Sequence, residues 1–343
     1  MKFDELKTLC GLCGTSGREH AVREYILHEI EQAGIPAENI RIDGMGNVIV
    51  HKSGAPAKHR VMFSAHMDEV ALMITEIAAD GTLRFDCVGG VNAAAVIARQ
   101  VLVGKQRIPG VIGTKPVHHL SGSERTRPAE MSALYCDIGT SSKEETLACS
   151  IRPGDVIYFD TEPQEIGESF TAKAIDDRFG CLILLELLRR DLPYEAEIAF
   201  LVQEEVGLRG AEAAGRSVRP DIAVIFEATT AADLPDSHGT ERVCELGGGA
   251  VISLIDGRTI YDIGLYDKAV SICEVQNIAW QTKKKVAGGN DAGAIQHSGA
   301  KVLAVSVPCR YLHAPVSLIR KTDAEACMQL AFALAETLPG GAE

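Results

Sequence analysis

The pattern of apolar and polar positions changes character twice along the chain. Residues 17 to 33, GREHAVREYILHEIEQA, place Val22, Tyr25, Ile26 and Ile30 at helical spacing ahead of Gly34 and Pro36, which predicts an amphipathic surface helix. IRIDGMGNVIVHK reads as a hairpin around its glycines, and RVMFSAH, residues 60 to 66, is apolar enough for a central strand. From residue 73 to 165 short β-like runs (LRFDCVGG, QVLVGKQRIPGVIGT, GDVIYF) are broken by Gly and Pro without a long helical period. That stretch predicts a small β-barrel or sandwich inserted into a larger domain. Within it HHLSGSERTRPAEMS, residues 118 to 132, is polar and turn-rich and reads as a mobile loop, with His118 and His119 solvated. After residue 170 helix and strand periods alternate: DRFGCLILLELLRR, AEIAFLVQ, DIAVIFEA, IYDIGLYDKAVSICEVQNIA, AKVLAVSVP and DAEACMQLAFALAETL. The expected fold is α/β: a mostly parallel sheet with flanking helices, formed by residues 1–72 and 166–343, around the β-rich insert 73–165.

In such sheets ligands sit beyond the carboxyl ends of the strands, and there the candidate chemistry collects. SAHMDE closes one strand with His66 and Asp68, and the strand at 197 to 203 runs into QEEVGLRGA, with Glu204 and Glu205. The strand at 222 to 226 ends in Glu227, the one at 302 to 307 runs into PCRYLHAP with His313, and Asp176–Asp177 stand just before a helix in AKAIDDRFG. Singly, each has an ordinary structural role, such as a carboxylate at a helix N-terminus or a solvated strand end. Jointly, at least four carboxylates on one rim repel one another unless cations lie between them. Imidazole and carboxylate without thiolate suit zinc, cobalt or manganese. Two His and at least three carboxylates exceed the needs of one four- or five-coordinate ion, whereas two divalent ions bridged by a shared Asp would use them all. Strand alternation sends Glu204 and Glu205 to opposite faces, so one is a ligand and the other is not.

Composition narrows the classes. The 343 residues carry 34 basic and 47 acidic side chains, a formal charge of −13, with no long Lys/Arg run; nucleic acid is not an expected partner. The ten cysteines are scattered, mostly in apolar segments, and MKFDELKTLC has no apolar signal core, as expected for free thiols in the cytoplasm. Cys10 and Cys13 read as a packed helix end. No apolar run approaches the roughly 18 residues of a membrane span. AGGNDAGA, residues 287 to 294, lacks the strand and helix context of a dinucleotide fingerprint and the Lys of a P-loop.

Together SAHMDE, AIDDRFG, QEEVGLRGA, TAADLPD, GGNDAGA and SVPCRYLHAP, in this order from residue 64 to 315, resemble the dinuclear-metal aminopeptidases of the glutamyl-aminopeptidase and tetrahedral (TET) type. The resemblance implies that His66, Asp176 and Glu227 hold one ion and Asp176, Glu205 and His313 the other. Asp176 bridges, a cis peptide joins Asp176 to Asp177, and Asp68 orients His66. It implies removal of single residues from short peptides with a free amino terminus, by a bridging water whose proton passes to Glu204 and on to the leaving amine. Asp291 is a candidate for holding the α-amino group and Arg310 for contacting substrate. The insert would be a dimerisation domain, with dimers building a homo-oligomeric dodecamer. Glu227 departs from the family, which commonly has Asp there, and Ala314 stands where many relatives carry a small hydroxyl residue. A metal-dependent deacylase or carboxypeptidase, or a noncatalytic assembly protein, are the other readings of the same scaffold. Lys283, Lys284, Lys285 and Arg310 point toward an acidic first residue, with basic and aliphatic side chains left open.

Overall fold

The computed structural model describes residues 3–122 and 126–338. Its larger sheet has eight strands, in the spatial order Ile40–Ile42, Val48–Lys52, Ala196–Leu201, Val61–His66, Ile222–Thr230, Lys301–Cys309, Ala250–Ile252 and Trp280–Thr282. The third to sixth of these run parallel, and every residue of Val61–His66 is buried. That strand is central because its apolar run is fit for burial on both faces.

One face carries the helices Phe3–Gly11, His20–Gln32, Ile175–Leu188, Ile263–Gln276 and Lys321–Thr337 over the main hydrophobic core. Val22, Ile26 and Ile30 are the buried positions of the second helix, and Tyr25 packs at the edge. The other face is covered by the shorter helices Arg209–Val218 and Ala292–Ile295, through small residues such as Ala211, Ala214 and Ala292. Register then aligns the chemistry. Leu201 pairs with His66, and Ile225 with Ser64, so Glu227 lies level with His66 on the neighbouring strand.

Two strand ends differ from the pattern reading. The strand expected to reach residue 203 stops at Leu201, because Gln203 adopts φ +56° and turns the chain before Glu204. The strand expected to end at 226 continues to Thr230, paired along its length with Lys301–Cys309, so Glu227 lies inside it. The β-rich stretch forms a closed six-stranded barrel, from Ala71–Ile77 to Val156–Phe159, with its own core of Leu72, Leu83, Val101 and Phe159. In the polar segment at 118 to 132, residues 123–125 lie outside the described residues, while Val117–His119 and Met131–Ala133 form single 3-10 turns. His118 and His119 are exposed. Among the described residues no helix is long and apolar enough to cross a membrane.

Candidate metal centre

Six side chains converge at the carboxyl ends of the parallel strands. Asp176 sits among them with one oxygen toward each imidazole: Oδ1 lies 3.2 Å from His66 Nε2 and Oδ2 lies 3.3 Å from His313 Nε2. Glu227 Oε1 is 3.4 Å from His66 Nε2, and Glu205 Oε2 is 3.4 Å from His313 Nε2. Donors around a tetrahedral ion with bonds of 2.0–2.1 Å stand about 3.3 Å apart. The donor spacings are therefore those of a candidate metal site, with Asp176 facing both imidazoles. His66, Asp177 and Glu227 also offer donor atoms within 4.8 Å of one another, as do His66, Asp176 and Glu205. Asp177 is the poorer donor, because its Oδ1 accepts the Gly180 N–H at 2.8 Å and its Oδ2 the His66 N–H at 3.2 Å. The peptide joining Asp176 to Asp177 is cis.

Each imidazole is turned by its second nitrogen. His66 Nδ1 lies 3.1 Å from the Asp68 carbonyl and 3.4 Å from Asp68 Oδ1, and His313 Nδ1 lies 3.2 Å from the carbonyl of Gly90 in the barrel segment. With each Nδ1 turned to a backbone carbonyl, each Nε2 faces the carboxylates. His313 is presented by a tight turn in which it and Tyr311 both adopt φ +59°. Asp68 does more than orient a ring. Fully buried, it accepts from Ser16 Oγ at 2.6 Å, from the Glu204 N–H at 3.0 Å and from the Glu205 N–H at 3.2 Å. The two glutamates are thus separated by a turn pinned on Asp68, and strand alternation is not what divides them. Buried Asn47 braces the same turn, accepting from the Val202 N–H and donating to the Gly210 carbonyl.

The electrostatics are those of a site built for cations. Burial pushes Glu205 up to about 8, and burial likewise raises Glu204 and Glu227 well above the ordinary carboxylate range, with neighbouring carboxylates adding to it. Burial also opposes ionisation of Asp176, yet hydrogen bonding to His313 and His66 outweighs it and holds that carboxyl well below the usual range. Burial works against a charge on His313, but Asp176 and Glu205 raise it to about 9. Glu227 Oε2 and both oxygens of Asp291 are buried without a hydrogen-bond partner. Orphaned buried carboxylate oxygens call for a ligand.

The other candidates fall as follows. Glu204 lines a cavity of about 170 Å³ together with Asp176, Glu227, Thr229, Lys283, Asn290 and His313. Asp291 adjoins that lining through Asn290, its charge reaches Glu204, and burial raises it to about 7. Arg310 is a correction: its guanidinium forks onto Asp233 at 2.6 and 2.9 Å and does not line the cavity. Its long side chain is used to tie the His313 turn to residue 233. Pattern reading missed Ser16 and Gly90, which contribute a hydroxyl and a carbonyl from distant segments and carry no motif signal of their own.

The profile of a family described as M42 glutamyl aminopeptidase matches residues 46–330. The chain is 33% identical to a glutamyl aminopeptidase of Lactococcus lactis, covering 94% of this chain and 92% of the relative. It is 31% identical to a lysyl aminopeptidase of Pyrococcus furiosus, covering 98% and 97%. The solved TET1 peptidase of Pyrococcus horikoshii, described as assembling into a tetrahedron or a large octahedral shell, superposes with a TM-score of 0.86 at 34% identity, covering 98% of this chain and 99% of that one.

Proposed function

Because the chain belongs to the M42 glutamyl aminopeptidase family and is a peptide hydrolase, we propose that it removes single amino-terminal residues from short peptides with two divalent ions, zinc, cobalt or manganese. The observation that carries this is the two-sided Asp176, with an oxygen 3.2 Å from His66 and another 3.3 Å from His313. His66, Asp176 and Glu227 would hold one ion, and Asp176, Glu205 and His313 the other. Glu227 is one methylene longer than an Asp, and its level register with His66 supports ligation through Oε1. Bound ions supply Lewis-acid activation of water and of the scissile carbonyl.

The chain's own residues do the rest. Glu204 stands outside both donor sets and has its carboxyl raised by burial, the property of a general base working near neutrality. It takes the proton of the attacking water and returns it to the leaving amine. Asp68 keeps Glu204 and Glu205 in their places by holding both backbone amides. Asp291, buried and unpartnered, is suited to the substrate's α-ammonium, a group that an N-acylated compound lacks. The barrel and the shell-forming solved relative support a homo-oligomer, with dimers building a dodecamer; light scattering should give the mass of twelve chains.

Metal-stripped protein reloaded with zinc, cobalt or manganese tests the reading on aminoacyl-arylamides and their N-acetyl counterparts. Metal-dependent cleavage of the free-amine series alone is the expected result. Release of acetate from the acetylated series instead would make the chain a deacylase, and no cleavage of either series with ions bound would make it a noncatalytic scaffold.

A further inference from the structure

Four consecutive amides in the turn that carries the two glutamates are each held by a side chain from another segment. The Val202 N–H donates to Asn47 Oδ1 at 2.9 Å and the Gln203 N–H to Glu19 Oε1 at 3.2 Å. The Glu204 N–H donates to Asp68 Oδ1 at 3.0 Å and the Glu205 N–H to Asp68 Oδ2 at 3.2 Å. Of the three acceptors, Asn47 is neutral and Asp68 also serves His66, which leaves Glu19 to be explained. It stands just before the helix His20–Gln32, at a position where a side chain often caps the first turn, yet it makes no capping bond. Only 4% exposed, it accepts instead from the Gly17 N–H at 2.7 Å and from Gln203, both through Oε1. Among the described residues no Lys, Arg or His lies within ion-pair distance of it. A buried carboxylate without a cation costs stability, and the bond that reaches beyond its own segment is the one to Gln203.

We propose that Glu19 is a positioning residue for the general base: by holding the Gln203 amide it fixes the left-handed turn from which Glu204 reaches the cavity shared with Asp176 and His313. The proposal rests on the catalytic reading above. Gln203 adopts φ +56°, a conformation that residues other than glycine take at a cost, so contacts outside the residue must favour it. Relaxing Gln203 to a negative φ would turn its peptide planes against each other and pull the N–H off Glu19. Glu204 follows directly, and its own amide meets Asp68 only while the turn keeps this course. Ser16 shares the brace, since it lies on the same segment and donates to Asp68 Oδ2 at 2.6 Å. Residues 16 to 19 thus hold the base turn at two points, Asp68 and Gln203, while neither Ser16 nor Glu19 lines the cavity. Burial raises the Glu19 carboxyl above its ordinary range, so the turn uses the acceptor oxygen and not the charge.

Three variants of the metal-loaded enzyme test this on aminoacyl-arylamides. Glu19→Gln keeps an acceptor oxygen at the same reach, Glu19→Asp keeps the charge but falls one methylene short, and Glu19→Ala removes both. In Glu19→Asp and Glu19→Ala, kcat is expected to fall by about tenfold to a hundredfold, with KM and the metal content unchanged. Glu19→Gln should stay near wild type. The contrast between Glu19→Gln and Glu19→Asp decides the matter even where Glu19→Ala fails to fold. A Glu19→Asp enzyme as fast as wild type overturns the assignment, and so does a Glu19→Gln enzyme as slow as Glu19→Asp, which would make the charge the working feature. A loss confined to melting temperature overturns it too, as the mark of a purely structural carboxylate, and so does a fall in kcat that excess metal restores, which would place the effect at Glu205. Glu204→Gln is the control. If it cleaves as fast as wild type, the general-base reading falls and this proposal with it; an enzyme silenced by Glu204→Gln but indifferent to Glu19→Asp loses only the Glu19 assignment.

Discussion

At the scale of single residues, the neighbours Glu204 and Glu205 make the sharpest contrast. Glu205 faces His313 Nε2 at 3.4 Å inside a donor set, whereas Glu204 contacts neither imidazole within 4 Å among the described residues. Replacing Glu204 with Gln keeps the shape and removes the proton acceptor. We expect kcat to fall by about a hundredfold to ten-thousandfold, with both ions still bound by elemental analysis. Glu205→Gln should behave differently and lower the occupancy of the position beside His313, restored in part by excess metal. If the two variants lose metal equally, the division of labour is wrong. Of the proposed ligands, His66, Glu205, Glu227 and His313 were legible in the sequence because each stands at or near the end of an apolar run, and Asp176 because it stands just before a helix. The role of Asp68 as anchor for two backbone amides was not legible, since it depends on the left-handed turn at Gln203, a residue type that gives no hint of positive φ.

At the scale of elements, the segments that carry the His and carboxylate cluster are tied to the amino-terminal helix by two buried cations. Arg178, wholly inaccessible, donates to the carbonyls of Leu9, Leu12, Gly14 and Met67 and to Glu69 Oε1. Lys173 joins in through Glu69, at 2.9 and 2.7 Å, and the Leu12 carbonyl at 2.7 Å. Arg178 thereby caps the carboxyl end of the helix Phe3–Gly11 and holds the segment that carries His66 and Asp68. Arg178→Met would leave these carbonyls and Glu69 short of partners in a buried setting. The expected loss is about 3–5 kcal/mol, read as a lower midpoint in urea unfolding of the metal-free protein; a midpoint unchanged from wild type would show that water or Lys173 takes over. The helix Ile175–Leu188 was plain from its apolar period. The strut was not, because a lone Arg in DRFG reads as surface charge, and only the packing of residues 9 to 14 against it reveals the burial.

At the scale of the whole molecule, the cluster couples stability to pH. Without ions, the folded protein holds protons that the unfolded chain releases: Glu205 rises from 4.5 to about 8 through burial, and His313, despite burial, rises from 6.5 to about 9 through Asp176 and Glu205. For the raised carboxyl, the folded state binds more protons than the unfolded one between pH 4.5 and about 8. For the raised imidazole the same holds between 6.5 and about 9. In both windows the folded state is the better proton acceptor, so stability falls as pH rises. Asp176, lowered through His313 and His66 against the cost of burial, acts in the opposite sense, but only in acid below the ordinary carboxylate value. The metal-free protein should therefore melt at progressively lower temperature from about pH 6 to pH 9. Divalent ions replace those protons, so binding near pH 7.5 should release protons, seen in calorimetry as a heat that scales with the buffer's ionisation enthalpy. Saturating zinc or manganese should flatten the melting profile over the same range. A metal-free profile already flat from pH 6 to 9, or metal binding that takes up no more heat in one buffer than in another, would mean that the cluster is ionised before any ion arrives. The carboxylates would then have to be held apart by something other than protons and metal.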